Sequence, residues 1–216
     1  MVRLTYEESM PPQVPALFIA DAPALDFLNS IATPVDVPVE WIDGGAGLLA
    51  WLGQAQLVPR ATLDEIRQRA MPGELDKVAD QARNLREWFR SFVLMHQGTR
   101  LSEAALGELG PLNLLLERDE QYSRVGAKPG AEDAGLEFRS LRRWRSPESL
   151  LQPIGEVMAK LVTDEDFEHI KACEGPTCTL LFADHTRGHS RRWCSMEICG
   201  NRAKQAAHRN RLKEQQ

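Results

Sequence analysis

The sequence predicts a mainly α-helical chain: a helical N-terminal domain over residues 1–165 with one small β-hairpin, then a compact four-cysteine module over 166–216 that ends in a basic helix. Three observations predict it. Apolar residues recur at three- and four-residue steps through much of the first part. One stretch interrupted by Gly and Pro switches to short β-like runs. All four cysteines fall within 27 residues near the end.

Taken in order, Asp43 is placed to cap a short helix from Gly44 to Gln54. Thr62 and Glu65 have capping-box spacing for the start of a second. Leu75, Val78, Ala82, Leu85, Phe89 and Phe92 form a single apolar stripe, which predicts a long helix over Glu74–His96. Tyr122, Arg124 and Val125, then Leu136, Glu137 and Phe138, flank a Gly- and Pro-containing connection and predict the hairpin. Ser146 followed by Pro147 reads as N-cap and first residue of a helix to about Val162. Trp41, Trp51, Trp88 and Trp144 are read as packing residues rather than the lining of a ligand pocket.

The 216 residues carry a net charge of −5, with 43% hydrophobic and 26% charged residues, which suits a chain able to bury a core. No apolar run approaches a membrane span, and the opening MVRLTYEESM has no signal-peptide core, so a cytoplasmic location and no membrane partner are expected. The charge is divided unevenly. Arg187–Gln216 holds eight basic and two acidic residues, a balance of +6, and the preceding 186 residues balance to −11. An acidic body with a basic end is the pattern of a chain that meets a polyanion at that end alone.

The cysteines follow C-x4-C-x15-C-x4-C: Cys173, Cys178, Cys194 and Cys199. Two local pairs joined by a loop suit a closed tetrahedral Zn2+ site, because four thiolates neutralise the ion and fill its coordination. Disulfides would need an oxidising compartment. Four packed free thiols would not place Cys173 and Cys178 in the polar turn Glu174-Gly175-Pro176-Thr177. His185 and His189 also have zinc-like spacing, but a mixed site would leave Cys194 and Cys199 unexplained. The segment after Cys199 predicts a helix from about Asn201 to Lys213, with Asn201 as its N-cap. A second cysteine pair that delivers a helix is the layout of treble-clef-like modules. Arg187, Arg191, Arg192, Arg202, Lys204, Arg209, Arg211 and Lys213 are the candidate phosphate contacts, Arg202 being equally suited to locking the knuckle. Trp193, beside a ligand, is expected to pack on the metal core.

The runs Leu181-Phe182-Ala183-Asp184, Arg191-Arg192-Trp193-Cys194-Ser195-Met196 and Cys199-Gly200-Asn201-Arg202-Ala203-Lys204 closely resemble the CGNR zinc finger of bacteria. Ala24-Leu25-Asp26-Phe27-Leu28-Asn29-Ser30 resembles the opening of the helical ABATE domain that precedes that finger in its family. The resemblance implies zinc at the four cysteines and a transcription regulator that binds DNA, ahead of RNA, through its finger. An effector of the N-terminal domain and a homodimer formed through the helical body are further expectations. The alternative is a protein-interaction module with a purely structural zinc. No P-loop, dinucleotide fingerprint or nucleophile elbow is present, and a closed four-thiolate site has no open position, so no enzymatic activity is expected.

Overall fold

The computed structural model describes residues 15–128 and 135–214. The predicted hairpin connection falls largely outside them, as does the chain opening. The elements run α1 (Pro23–Leu28), β1 (Ile31–Val35), β2 (Val37–Glu40), α2 (Gly45–Gln54), α3 (Arg60–Arg69), α4 (Glu74–His96), α5 (Gly110–Leu116), β3 (Gln121–Ala127), β4 (Leu136–Arg142), α6 (Gln152–Asp164), β5 (Ile170–Ala172), β6 (Leu181–Ala183) and α7 (Asn201–Glu214). The three sheets among the described residues are antiparallel pairs: β1–β2, β3–β4 and β5–β6. The mainly α class is as predicted. No described helix is long and apolar enough to cross a membrane.

The central element is α4, whose bounds match those read from its stripe. Val78, Ala79, Ala82, Phe89, Phe92 and Val93 are buried, and Phe89 stacks on Phe92. Helix α2 crosses α4 so closely that a Cβ on Gly45 would lie 2.4 Å from the Leu75 Cβ. The Gly45 amide then donates to the Asp76 carboxylate at 2.8 Å. Trp41 and Trp51 are buried, and Trp88 and Trp144 are half-buried against the same core, as packing residues should be.

One polar group crosses this core. Arg86, on α4, has only 2% of its side chain exposed and pairs with Glu40 of β2 through Nη1–Oε1 (2.8 Å) and Nη2–Oε2 (2.5 Å). Its Nη1 also donates to Ser30 Oγ at 2.8 Å, so the guanidinium is satisfied where an unpaired charge would be costly.

Three predicted helix starts are corrected. α2 begins at Gly45 with Gly44 at the cap position and no side-chain cap bond, so Asp43 does not cap it. α3 begins at Arg60 after Pro59, so Thr62 sits inside the first turn and does not cap it. Ser146 makes no side-chain cap bond, and Pro147–Leu151 forms a tighter 3-10 turn before α6 begins at Gln152. Pro153 explains the break. In a continuous helix from residue 147 its ring would meet the carbonyl four residues back, whereas in the first turn of α6 no N–H is required there.

The β1–β2 pair was not foreseen. Pro34 and Pro38 obscure its pattern, and the turn depends on Asp36 at φ +61°. Short helix α1 precedes it, and inside α1 Asp26 is buried, accepting from the Ala20 amide at 3.0 Å. Burial pushes the Asp26 carboxyl up to about 6, against the lowering effect of backbone hydrogen bonds from Ala20 and Ile19. The folded state therefore holds this proton more tightly than the unfolded one. The cost of the buried charge is present above pH 6 and disappears as pH falls towards 4, at about 1.4 kcal/mol per pH unit inside that window. Asp26→Asn is expected to gain about 2 kcal/mol at pH 7.5, an advantage that shrinks below pH 6. Paired urea titrations of both proteins cancel their shared titrations, and a pH-independent difference would contradict the assignment.

Candidate metal centre

The C-terminal module starts from β5, which pairs with β6 in the register Ile170↔Ala183, Lys171↔Phe182 and Ala172↔Leu181. Between them the chain turns through Cys173–Cys178. The Cys173 amide donates to the Leu180 carbonyl at 2.9 Å, and the Cys178 amide to the Gly175 carbonyl at 3.1 Å. Gly175 is required by closeness: an added Cβ would lie 3.0 Å from both the Cys178 Cβ and the Cys199 Sγ.

The second pair is presented differently. Ser195 Oγ accepts from the Ile198 amide at 2.9 Å and caps one wide turn over Met196–Gly200, in which the Gly200 amide donates to the Ser195 carbonyl at 3.0 Å. α7 follows without a break. Asn201 is thus already helical, and Ser195 takes the capping role expected of it. The extra turn places the cap six residues upstream of the predicted Asn201.

These two turns bring the sulfurs of Cys173, Cys178, Cys194 and Cys199 within 4.8 Å of one another. The Cys178–Cys194 and Cys194–Cys199 separations are 3.9 and 3.6 Å. A tetrahedron with metal–sulfur bonds of about 2.3 Å has edges of about 3.8 Å, so the four side chains are positioned to bind one metal ion. Donors surround the cage: the Cys194 amide lies 3.2 Å and the Gly175 amide 3.4 Å from Cys173 Sγ, and Arg202 Nη2 lies 3.2 Å from Cys199 Sγ. Such contacts offset the excess negative charge of four thiolates around a dication. With no ion bound, hydrogen bonding from Cys194 lowers the Cys178 thiol, the same bond together with burial pushes Cys194 up, and burial pushes Cys199 up.

His185 and His189 are engaged elsewhere. His185 Nε2 meets Glu165 at 2.8 Å, and His189 Nδ1 meets the Asp184 carbonyl at 2.8 Å while its ring lies on that of His169.

Comparison with known families agrees with this geometry. Residues 169–212 match the CGNR zinc finger, and residues 21–165 match ABATE, described as "Putative stress-induced transcription regulator". The chain belongs to the ABATE family. No curated protein matches it. Neither family description names an enzymatic activity.

In this ABATE chain the finger is fastened to the body. Asn29, at the end of α1, accepts from the Leu181 amide at 2.9 Å and donates to the Leu181 carbonyl at 2.8 Å, so its amide extends the β5–β6 pair by one rung. The Ala183 amide donates to the Ala20 carbonyl at 2.9 Å, Thr179 Oγ1 accepts from the Thr33 amide at 2.9 Å, and Thr177 Oγ1 donates to Asp36 at 2.8 Å. The apolar core is also shared, running from α1 and α4 to Phe182, Cys194 and Cys199.

The expected basic residues divide into two groups. Arg191 is a staple: its guanidinium lies 4.2 Å above the Phe182 ring and donates to Asp21, the Ile19 carbonyl (2.9 Å), the Trp193 carbonyl (3.0 Å) and the Cys194 carbonyl. Arg202 donates to the Ile198 carbonyl at 2.6 Å and to Pro34, locking the knuckle to β1. Arg192 pairs with Glu174 at 2.6 Å and covers Trp193, which packs half-buried against the core. Arg187, Lys204, Arg209 and Arg211 are exposed, and among the described residues none has a carboxylate partner. The side chain of Lys213 lies outside the described residues.

Asp184 was missed by sequence reasoning. Fully buried, it accepts from Lys171 Nζ (2.7 Å), Thr186 Oγ1 (2.6 Å) and the Arg191 amide (2.9 Å). Burial opposes its ionisation, but these bonds prevail and hold the carboxyl well below the usual range. It fixes the loop that precedes Cys194. An acid at the end of an apolar strand was the available signal.

Proposed function

We propose that this chain is a zinc-dependent, nucleic-acid-binding transcription regulator, with DNA favoured over RNA and no catalytic role. Zn2+ would be held by Cys173, Cys178, Cys194 and Cys199 as a closed structural site, which leaves no position for a reacting water. The observation that carries the binding half is the orientation of α7. Arg202 faces inward, and Ala203, Ala206 and Arg209 line a cleft of about 180 Å³ against Gly175–Thr177. The opposite side presents exposed Lys204, His208 and Arg211 at i, i+4 and i+7, one stripe along the helix. This stripe supplies cations to a phosphate backbone, and Arg187, exposed in the loop before Cys194, is a further candidate. On this reading the division expected near residue 165 is one of roles, an acidic body that places and a basic finger that touches.

The test is binding of the zinc-loaded chain to duplex DNA and to single-stranded RNA over a salt series. Lys204→Ala with Arg211→Ala should reduce the slope of log affinity against log salt by about 2 and leave the fold unchanged. Arg191→Ala should instead lower stability. No binding to either polymer at low salt would sink the proposal and turn the search to acidic protein partners.

A further inference from the structure

β3 and β4 pair over seven residues, from Gln121↔Arg142 to Ala127↔Leu136, and directly opposed residues share a face. One face carries Tyr122, Arg124, Glu137, Arg139 and Leu141. The other carries Val125, Ala127, Leu136 and Phe138, with Gln121 and Arg142 at its far end. In a soluble antiparallel ribbon the apolar face is the buried one. Here the order is reversed: Val125, Leu136 and Phe138 are 59%, 72% and 75% exposed, while Glu137 and Arg139 are half-buried. A two-stranded ribbon is also marginal in water unless something packs on its apolar side.

We propose that a second copy of this chain covers that face, two ribbons stacking about a two-fold axis near Phe138. Charge selects this occupant. A two-fold contact brings like against like, so a face bearing free charge would repel itself, and the one ionisable side chain on the apolar face, Arg142, is only 10% exposed and is paired with Asp119 and Glu156. The other charges of the ribbon, including Arg124 directly opposite Arg139, lie on the reverse face. A neutral apolar face offers no attraction to polyanions or to strongly charged proteins, and it complements itself.

Area sets the strength. The three apolar side chains leave about 300–400 Å² open per copy, in the range where a surface patch commonly marks an interaction site. Two such patches with their polar rim reach about 1,000 Å², the lower end for specific interfaces, so the dimer forms at about 1–100 µM. This inference does not depend on nucleic-acid binding, and its failure would leave the finger untouched.

The experiment is sedimentation equilibrium of the full zinc-loaded chain over about 1–200 µM. The expected result is a weight-average mass that climbs from one chain towards two and stops there. Phe138→Asp and Leu136→Lys, checked by circular dichroism and metal content, are each expected to move the midpoint at least tenfold. A mass that stays at one chain throughout, grows past two, or doubles regardless of both substitutions would overturn the proposal. The wild-type dilution series decides the first two outcomes even if a variant misfolds.

Discussion

Removing the metal, by a strong chelator at neutral pH or by Cys199→Ser, is expected to unfold the C-terminal module and to destabilise the helical body with it. A structural zinc site contributes about 10–16 kcal/mol of folding free energy in isolated finger peptides, more than the whole stability of many domains. Cys173, Cys194 and Cys199 are themselves part of the buried centre of the module, so the turns that carry them lose their anchor with the ion. Loss of the cage frees β6, Phe182 and Arg191, which cover α1. A fall in Tm of about 10 °C or more follows if only about 4 kcal/mol of this is transmitted to the body. Metal content should drop from one ion per chain to near zero, and far-UV circular dichroism should lose more helix than α7 alone contributes. Replacement by Co2+ should give the intense absorption of tetrahedral thiolate coordination. An ion-free protein with unchanged Tm would show the cage to be dispensable.

The cage was legible in the sequence because its ligands come in two local pairs, each closed by a turn of a few residues. α4 was legible for a similar reason: its apolar stripe is local and long, and burial of Val78, Ala82, Phe89 and Phe92 follows the period. The β3–β4 pair was visible too, though which of its faces would stay open was not, because alternation alone does not say where the core lies. What stayed hidden was long-range. The partners of Arg191 and Arg202 include Asp21, Ile19 and Pro34, about 170 residues away in the chain. Nothing in a basic run separates an arginine that staples from one that faces solvent. The split of the chain into body and finger followed composition, yet the hydrogen bonds across the seam depend on residues whose partners composition cannot reveal.

Asn29 is where that seam can be tested most sharply. Its side chain satisfies both backbone groups of Leu181, a residue 152 positions away, at a site where Asn29 and Leu181 are 1% and 2% exposed. Asn29→Leu keeps a similar volume but removes both bonds, leaving a buried N–H and a buried C=O without partners at a cost of about 1–3 kcal/mol each. The expected loss is therefore about 2–6 kcal/mol in urea denaturation, comparable with breaking a buried ion pair. Asn29→Asp discriminates further, because a carboxylate accepts from the Leu181 amide but repels its carbonyl, so it should be no better than leucine at neutral pH. The location of the damage matters more than its size. Hydrogen exchange of the substituted protein should rise in β6 and in the loop after Asp184 before it rises in α4, since the seam fails while the core of the body remains packed. Equal loosening everywhere would mean that body and finger fold as one cooperative unit. Loosening confined to α1 would mean that the finger is held by its metal alone.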